Sequence, residues 1–152
     1  MKVLMVCLGN ICRSPLAEGI MQHKANIAGL NWQVESAGTG GWHIGHAPHN
    51  LSQKVAHVNG IDISCQKGRQ FQPEDMVNFD RIYFMDEENY YEAQFMAGIL
   101  WNPEKAELLL NKLFPGENRS VPDPYYGGEE GFHEVFKLIS EACDAILKTY
   151  DR

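Results

Sequence analysis

Apolar and polar positions change period several times along the chain, and the changes divide it into alternating short runs. Residues 2–6 are apolar after Lys2 and end at Cys7, with Gly9-Asn10 following, the pattern of a buried strand entering a turn. From Pro15 the period becomes helical: Leu16, Ile20, Met21, Ile27 and Ala28 recur until Gly29. Ser14 stands where a helix cap belongs, and Pro15 suits a first helical position. Residues 32–37 alternate as a second strand and stop at Gly38-Thr39-Gly40-Gly41. Further on, 48–59 predicts a helix closed by Gly60, 73–79 a short helix, 81–85 a β-rich strand and 87–96 another helix. Residues 106–113 fit either a strand or a helix. Phe132, Val135, Phe136, Ile139, Cys143, Ile146, Leu147 and Tyr150 trace one apolar face of a terminal helix.

Strands alternating with helices predict an α/β fold. The expected form is three-layered, α/β/α, around a central, mostly parallel four-stranded sheet of the doubly wound, flavodoxin-like kind. No repeat, low-complexity tract or linker interrupts the pattern, and 152 residues suit a single domain over 1–152. Folds of this class bind ligands at the carboxyl ends of their strands, where Cys7 falls.

Charge narrows the partners. Thirteen Lys and Arg against twenty Asp and Glu give a net −7, which excludes a broad footprint for nucleic acid or an anionic membrane. No apolar stretch approaches the ~20 residues of a membrane span, and the first residues lack the long apolar region of a secretory signal, so a cytoplasmic protein is expected. In such a reducing compartment the four cysteines, Cys7, Cys12, Cys65 and Cys143, read as free thiols.

The segment Cys7-Leu8-Gly9-Asn10-Ile11-Cys12-Arg13-Ser14 carries the chemistry. A loop curled between a strand and a helix turns its amides inward and adds the positive helix end, which makes an anion cradle. Gly9 opens backbone conformations closed to other residues, and Asn10 tolerates the left-handed region and can brace the loop. Arg13 offers a planar fork for two phosphate oxygens. Cys7, at the centre of that field, is favoured as a thiolate and becomes an in-line nucleophile toward phosphorus, with Ser14 able to donate to its sulfur. A lone cysteine at a strand end is usually only a small buried hydrophobe. The spacing Cys-x5-Arg-Ser between strand and helix argues otherwise, and it differs from the Gly-x4-Gly-Lys-Ser/Thr nucleotide loop. Downstream, Asp123 lies between Pro122 and Pro124, on a stiff non-helical segment from which a carboxyl can project. Trp42, Tyr125 and Tyr126 fall on loops, where they either pack on neighbouring helices or line a mouth.

Cys7–Ser14 with the following Pro15-Leu16-Ala17-Glu18 closely resembles the signature of the low-molecular-weight protein tyrosine phosphatases. The resemblance continues through Ser36-Ala37-Gly38-Thr39, Arg69-Gln70, Met85-Asp86 and Asp123-Pro124-Tyr125-Tyr126, in the family's order and over essentially the whole chain. It implies a hydrolase acting on phosphotyrosine proteins through a cysteinyl-phosphate. Cys7 is then the nucleophile, Arg13 the phosphate ligand and Asp123 the general acid and later base. It further implies that Leu8, Gly9, Asn10, Ile11, Cys12 and Ser14 line the phosphate site, and that Trp42, Tyr125 and Tyr126 line its mouth. Ser36 is expected to brace the loop through Asn10, together with Ser14, and Cys12 to serve as a resolving thiol for Cys7. The chain departs from the family at His49 and Leu51, near places often held by Asp and Arg. It also departs at Cys65-Gln66-Lys67-Gly68, which lacks the His many relatives use to support the loop Asn.

His43, His46 and His49 recur every third residue, but Gly45 and Pro48 break the helix that would align them, so a solvated loop and no metal are expected. No cofactor is called for, since Arg13 and the loop amides supply the charge stabilisation. The expected species is a monomer or weak homodimer that binds phosphate or other oxyanions at the loop. A thiol-coupled arsenate reductase is disfavoured because Cys65 and Cys143 are far apart in sequence. Relatives that act on phosphoarginine carry Thr where Ile11 stands. A phosphocarrier would have no need of Asp123.

Overall fold

Four parallel strands, β1 (Lys2–Cys7), β2 (Gln33–Gly38), β3 (Arg81–Phe84) and β4 (Ala106–Leu108), form one sheet in the order β2-β1-β3-β4. The computed structural model describes residues 1–150. Five helices complete it: α1 (Arg13–Ile27), α2 (Asn50–Val58), α3 (Asp75–Asn78), α4 (Glu87–Ala97) and α5 (Glu129–Tyr150). None is long and apolar enough to cross a membrane.

The alternation of side chains along β1 explains the layers. Val3, Met5 and Cys7 enter one core with Leu16 and Ile20 of α1 and Ile139 and Cys143 of α5. Leu4 and Val6 enter the other with Phe79 and with Ala93 and Ala97 of α4. A strand buried on both faces reads as a continuous apolar run, which is how residues 3–6 appear in the sequence. The expected α/β/α sandwich is what forms, and the apolar stripe of α5 is buried or half-buried along its whole length. From β1 the chain passes to β2 on one side and then to β3 on the other, so the strand order reverses at the carboxyl end of β1. Cys7 sits at that switch point.

Two local expectations are corrected. Ser14 does not cap α1: the helix begins at Arg13 with Cys12 before it, and no side chain caps it. Pro15 therefore lies third, still inside the first turn, where its missing N–H leaves no bond unmade. Residues 106–113 are neither one strand nor one helix but the three-residue β4 followed by a 3-10 turn, Leu109–Lys112. The leucine triplet is ambiguous because the chain changes sides there, Leu108 packing in one core and Leu109 and Leu110 in the other.

Gly38 ends β2 against the loop after β1. A Cβ added there would lie 2.7 Å from the Leu8 carbonyl oxygen and 3.1 Å from Asn10. Backbone cannot yield cheaply, so Gly38→Ala should destabilise the fold by about 1–3 kcal/mol in a denaturant titration and weaken oxyanion binding. Unchanged stability and phosphate affinity would show that the contact is slack.

Candidate active site

The loop after β1 folds over its own first side chain. Cys7 is 2% exposed, yet it lines a cavity of about 280 Å³ with Leu8, Gly9, Ile11, Cys12 and Arg13. Its Sγ accepts the Asn10 N–H at 3.3 Å and lies 3.0 Å from Ser14 Oγ. Among the described residues, no protein group takes the N–H of Gly9, Ile11 or Cys12. Those donors, with the first turn of α1, remain for an anion above the sulfur.

Asn10 holds this curl. Its backbone is left-handed (φ 57°), a conformation Asn tolerates better than most residues. Its side chain is fully engaged: Nδ2 donates to Ser14 Oγ (2.8 Å) and Ser36 Oγ (3.0 Å), and Oδ1 accepts from Arg69 N–H (3.0 Å). The Ser36 hydroxyl donates to Glu18 Oε1 at 2.7 Å. Ser36 and Ser14 each accept an Asn10 hydrogen, so the Ser14 hydroxyl hydrogen is left for Cys7 Sγ at 3.0 Å or the Ala37 carbonyl at 3.5 Å. Burial pushes the Glu18 carboxyl above the usual range, a rise the Ser36 bond opposes. Ser14 and Ser36, the serines expected to brace the loop, are the two acceptors of Asn10 Nδ2. The missing His at 65–68 is bypassed, because a backbone N–H serves Asn10, while Gln66 donates to the Pro15 carbonyl instead (3.1 Å). Gly9 differs from expectation: its φ is not positive, and what it provides is space, since a Cβ would come 3.3 Å from the His43 ring.

Arg13 is buried, and Nη1 is committed to Asp86 Oδ2 (2.7 Å) and the Val121 carbonyl (3.0 Å). This leaves the Nε and Nη2 donors for a ligand. Burial opposes its charge, but Cys7, Asp86 and Asp123 outweigh that and raise its pKa. Asp86 also caps α4, accepting Asn89 N–H at 2.8 Å. Asp123 stands across the cavity, Oδ2 3.9 Å from Arg13 Nη2 and Oδ1 accepting from Tyr125 N–H (3.0 Å). The segment bearing it hangs from β3 through Val121 N–H to the Met85 carbonyl (2.8 Å). Trp42, Tyr125 and Tyr126 rim the same cavity, exposed to 68%, 42% and 93%. A Cβ on Gly40 would overlap the Trp42 ring, so glycine there lets the ring lie where it does.

The sequence pattern of the low molecular weight phosphotyrosine protein phosphatase family matches residues 2–152. The chain belongs to that family. It is 41% identical to the low molecular weight protein-tyrosine-phosphatase YfkJ of Bacillus subtilis, over 99% of this chain and 96% of the relative. A protein tyrosine phosphatase of Entamoeba histolytica, solved with Hepes in its active site, superposes with a TM-score of 0.91 at 35% identity, covering 99% of this chain and 97% of that one. The Drosophila arginine phosphatase does so with a TM-score of 0.90 at 34% identity, covering 100% and 99%.

Within this family frame, several residues of the site escaped sequence reading. Asp86 entered the sequence reading only within the matching pair Met85-Asp86, and Glu18 only as the last residue of Pro15-Leu16-Ala17-Glu18, neither with a role of its own. His43 was assigned to a solvated loop but lines the cavity, its Nδ1 3.3 Å from that of His46. Two bonds between Gly68 and this loop, Gly45 N–H to Gly68 O and Gly68 N–H to His46 O (both 2.8 Å), fix it there. Among the described residues, no three His, Cys, Asp or Glu side chains cluster to hold a metal. Cys12 lines the cavity too, but burial first, then the charges of Asp123 and Cys7, push its thiol up to about 12.

Burial separates the two acidic partners of Arg13, whose exposures are 18% for Asp86 and 42% for Asp123. Asp86→Asn keeps the α4 cap but strips a buried guanidinium of its nearest counter-charge, which should cost about 3 kcal/mol in chemical denaturation. Asp123→Asn should cost less than about 1 kcal/mol. Equal losses would mean that Asp123 shares the structural burden.

Proposed function

We propose that this chain is a metal-independent protein tyrosine phosphatase working through a cysteinyl-phosphate, with Cys7 as nucleophile, Arg13 as phosphate ligand and Asp123 as general acid and base. The observation that carries the reading is the placement of one sulfur beneath unpaired loop amides, with Arg13 on the rim and a half-exposed carboxylate opposite.

The phosphoryl group enters with its oxygens toward the loop N–H groups and the free edge of Arg13. The Cys7 thiolate attacks phosphorus as the P–O bond to tyrosine breaks. Phenolate, of pKa about 10, leaves poorly unless protonated, and Asp123 delivers that proton. The resulting carboxylate then takes a proton from water, whose oxygen attacks phosphorus. Sulfur departs as thiolate, stabilised by the Ser14 hydroxyl, and phosphate is released. Arg13 and the amides are oriented before the reaction, so they stabilise the transition-state charge without rearranging. Trp42 and Tyr125 flank the phenyl ring of a phosphotyrosine protein, and Ile11 keeps the inner wall apolar.

Cys7→Ser should abolish turnover while phosphate still binds. Asp123→Ala should slow phenyl phosphate by a factor of about 100 or more but spare an ester whose leaving group needs no proton. Steady-state assays without added metal, on phosphotyrosine against phosphoserine and phosphoarginine, test the substrate class. Near-wild-type turnover by Cys7→Ser would refute the nucleophile, and equal losses on both esters would remove Asp123 from the acid role.

The same reading gives Cys12 the part of resolving thiol. Peroxide converts Cys7 to the sulfenic acid with loss of water, and Cys12 then displaces a second water to close the disulfide. Its high pKa makes that closure slow at neutral pH and faster as pH rises, because only the thiolate attacks. Peptide mapping after brief peroxide treatment should find Cys7 joined to Cys12 and regain activity with dithiothreitol. Irreversible loss with Cys12 still free would exclude the role.

A further inference from the structure

His49 stands near a place where the resemblance leads one to expect an acid, and it touches three parts of the site at once. Its backbone N–H donates to the carbonyl of Ile11 in the phosphate loop (2.8 Å). Its Nδ1 accepts the Leu51 N–H (3.1 Å) and so caps α2. Its ring stacks on Phe132 of α5, with centroids 4.9 Å apart and planes 30° from parallel. Phe132 is wholly buried, so the imidazole is fixed by main chain, cap and stacking before it meets anything at the mouth.

The fourth contact is with Tyr125, whose ring meets it edge-on at 5.9 Å and 74°. Tyr125 is also in contact with Tyr126 (4.8 Å), but that ring is 93% exposed and offers no anchor. The backbone of Tyr125 is tied to Asp123, which leaves the direction of its ring to His49. An aspartate at 49 would cap α2 equally well and present no ring.

We infer that His49 is a positioning residue, which seats Tyr125 as the aromatic wall and thereby sets how strongly the mouth prefers an aryl phosphate. The inference rests on the reading above that a phenyl ring lies against Tyr125. An ordered aromatic pair of this geometry corresponds to roughly a two- to ten-fold gain in aryl affinity.

Calorimetric titration with benzylphosphonate and with inorganic phosphate separates the wall from the loop without requiring turnover. In His49→Asp and His49→Asn, which retain a cap but lose the ring, benzylphosphonate affinity should fall roughly two- to ten-fold while phosphate affinity stays unchanged. His49→Phe should restore the aryl affinity although the cap is gone. In a Tyr125→Ala background, His49→Asp should have no further effect. Equal weakening of both ligands would assign His49 to the phosphate loop through Ile11 and overturn the inference, as would an unaltered benzylphosphonate affinity or an undiminished loss in the Tyr125→Ala background. Absence of phosphatase turnover with these binding differences intact would instead defeat only the reaction proposed above.

Discussion

A loop that must aim its amides at one point cannot also bond them to itself, and the strain of that arrangement falls on Asn10. Its left-handed backbone turns the chain, and its side chain spends every donor and acceptor on holding the turn open. The partners come from three places: Ser14 on α1, Ser36 on β2 and the backbone of Arg69 between α2 and α3. Without them the unpaired N–H groups would find nearer acceptors, and the cradle over Cys7 would close.

The electrostatics follow from the same concentration of structure. A chain of net charge −7 has no long-range attraction for an anion. Among the described residues Arg13 is the one Lys or Arg side chain lining the cavity, and it is held by two carboxylates of different burial. Asp86 holds the guanidinium at 2.7 Å, while Asp123 lies further away and is more exposed, which suits the acid role proposed for it. The two side chains are chemically the same and differ in distance from the guanidinium and in solvent access.

The walls of the mouth are held by contacts other than those that hold the floor. Trp42 lies over Gly40, and its loop is pinned by Gly68. Tyr125 leans on His49, which leans on Phe132. Each wall is positioned by residues from distant parts of the chain, so the walls can be exchanged without disturbing the amides beneath.

Local pattern was enough for the strands, the long helices and the Cys-x5-Arg-Ser loop, because period and turn chemistry act over a few residues and leave their mark on neighbours. The leucine run at 108–110 and the supposed cap at Ser14 were misread for one reason: each side chain answers to partners in other elements, the two cores in one case and the sulfur at the end of β1 in the other. Asp86 and Glu18 fell inside matching motifs and His49 at a departure from them, but nothing local assigned these residues or His43 a part in the site. Their significance arises only where the parallel sheet brings the ends of β1, β2 and β3 together, since charge, burial and ring contact depend on distance through space rather than along the chain.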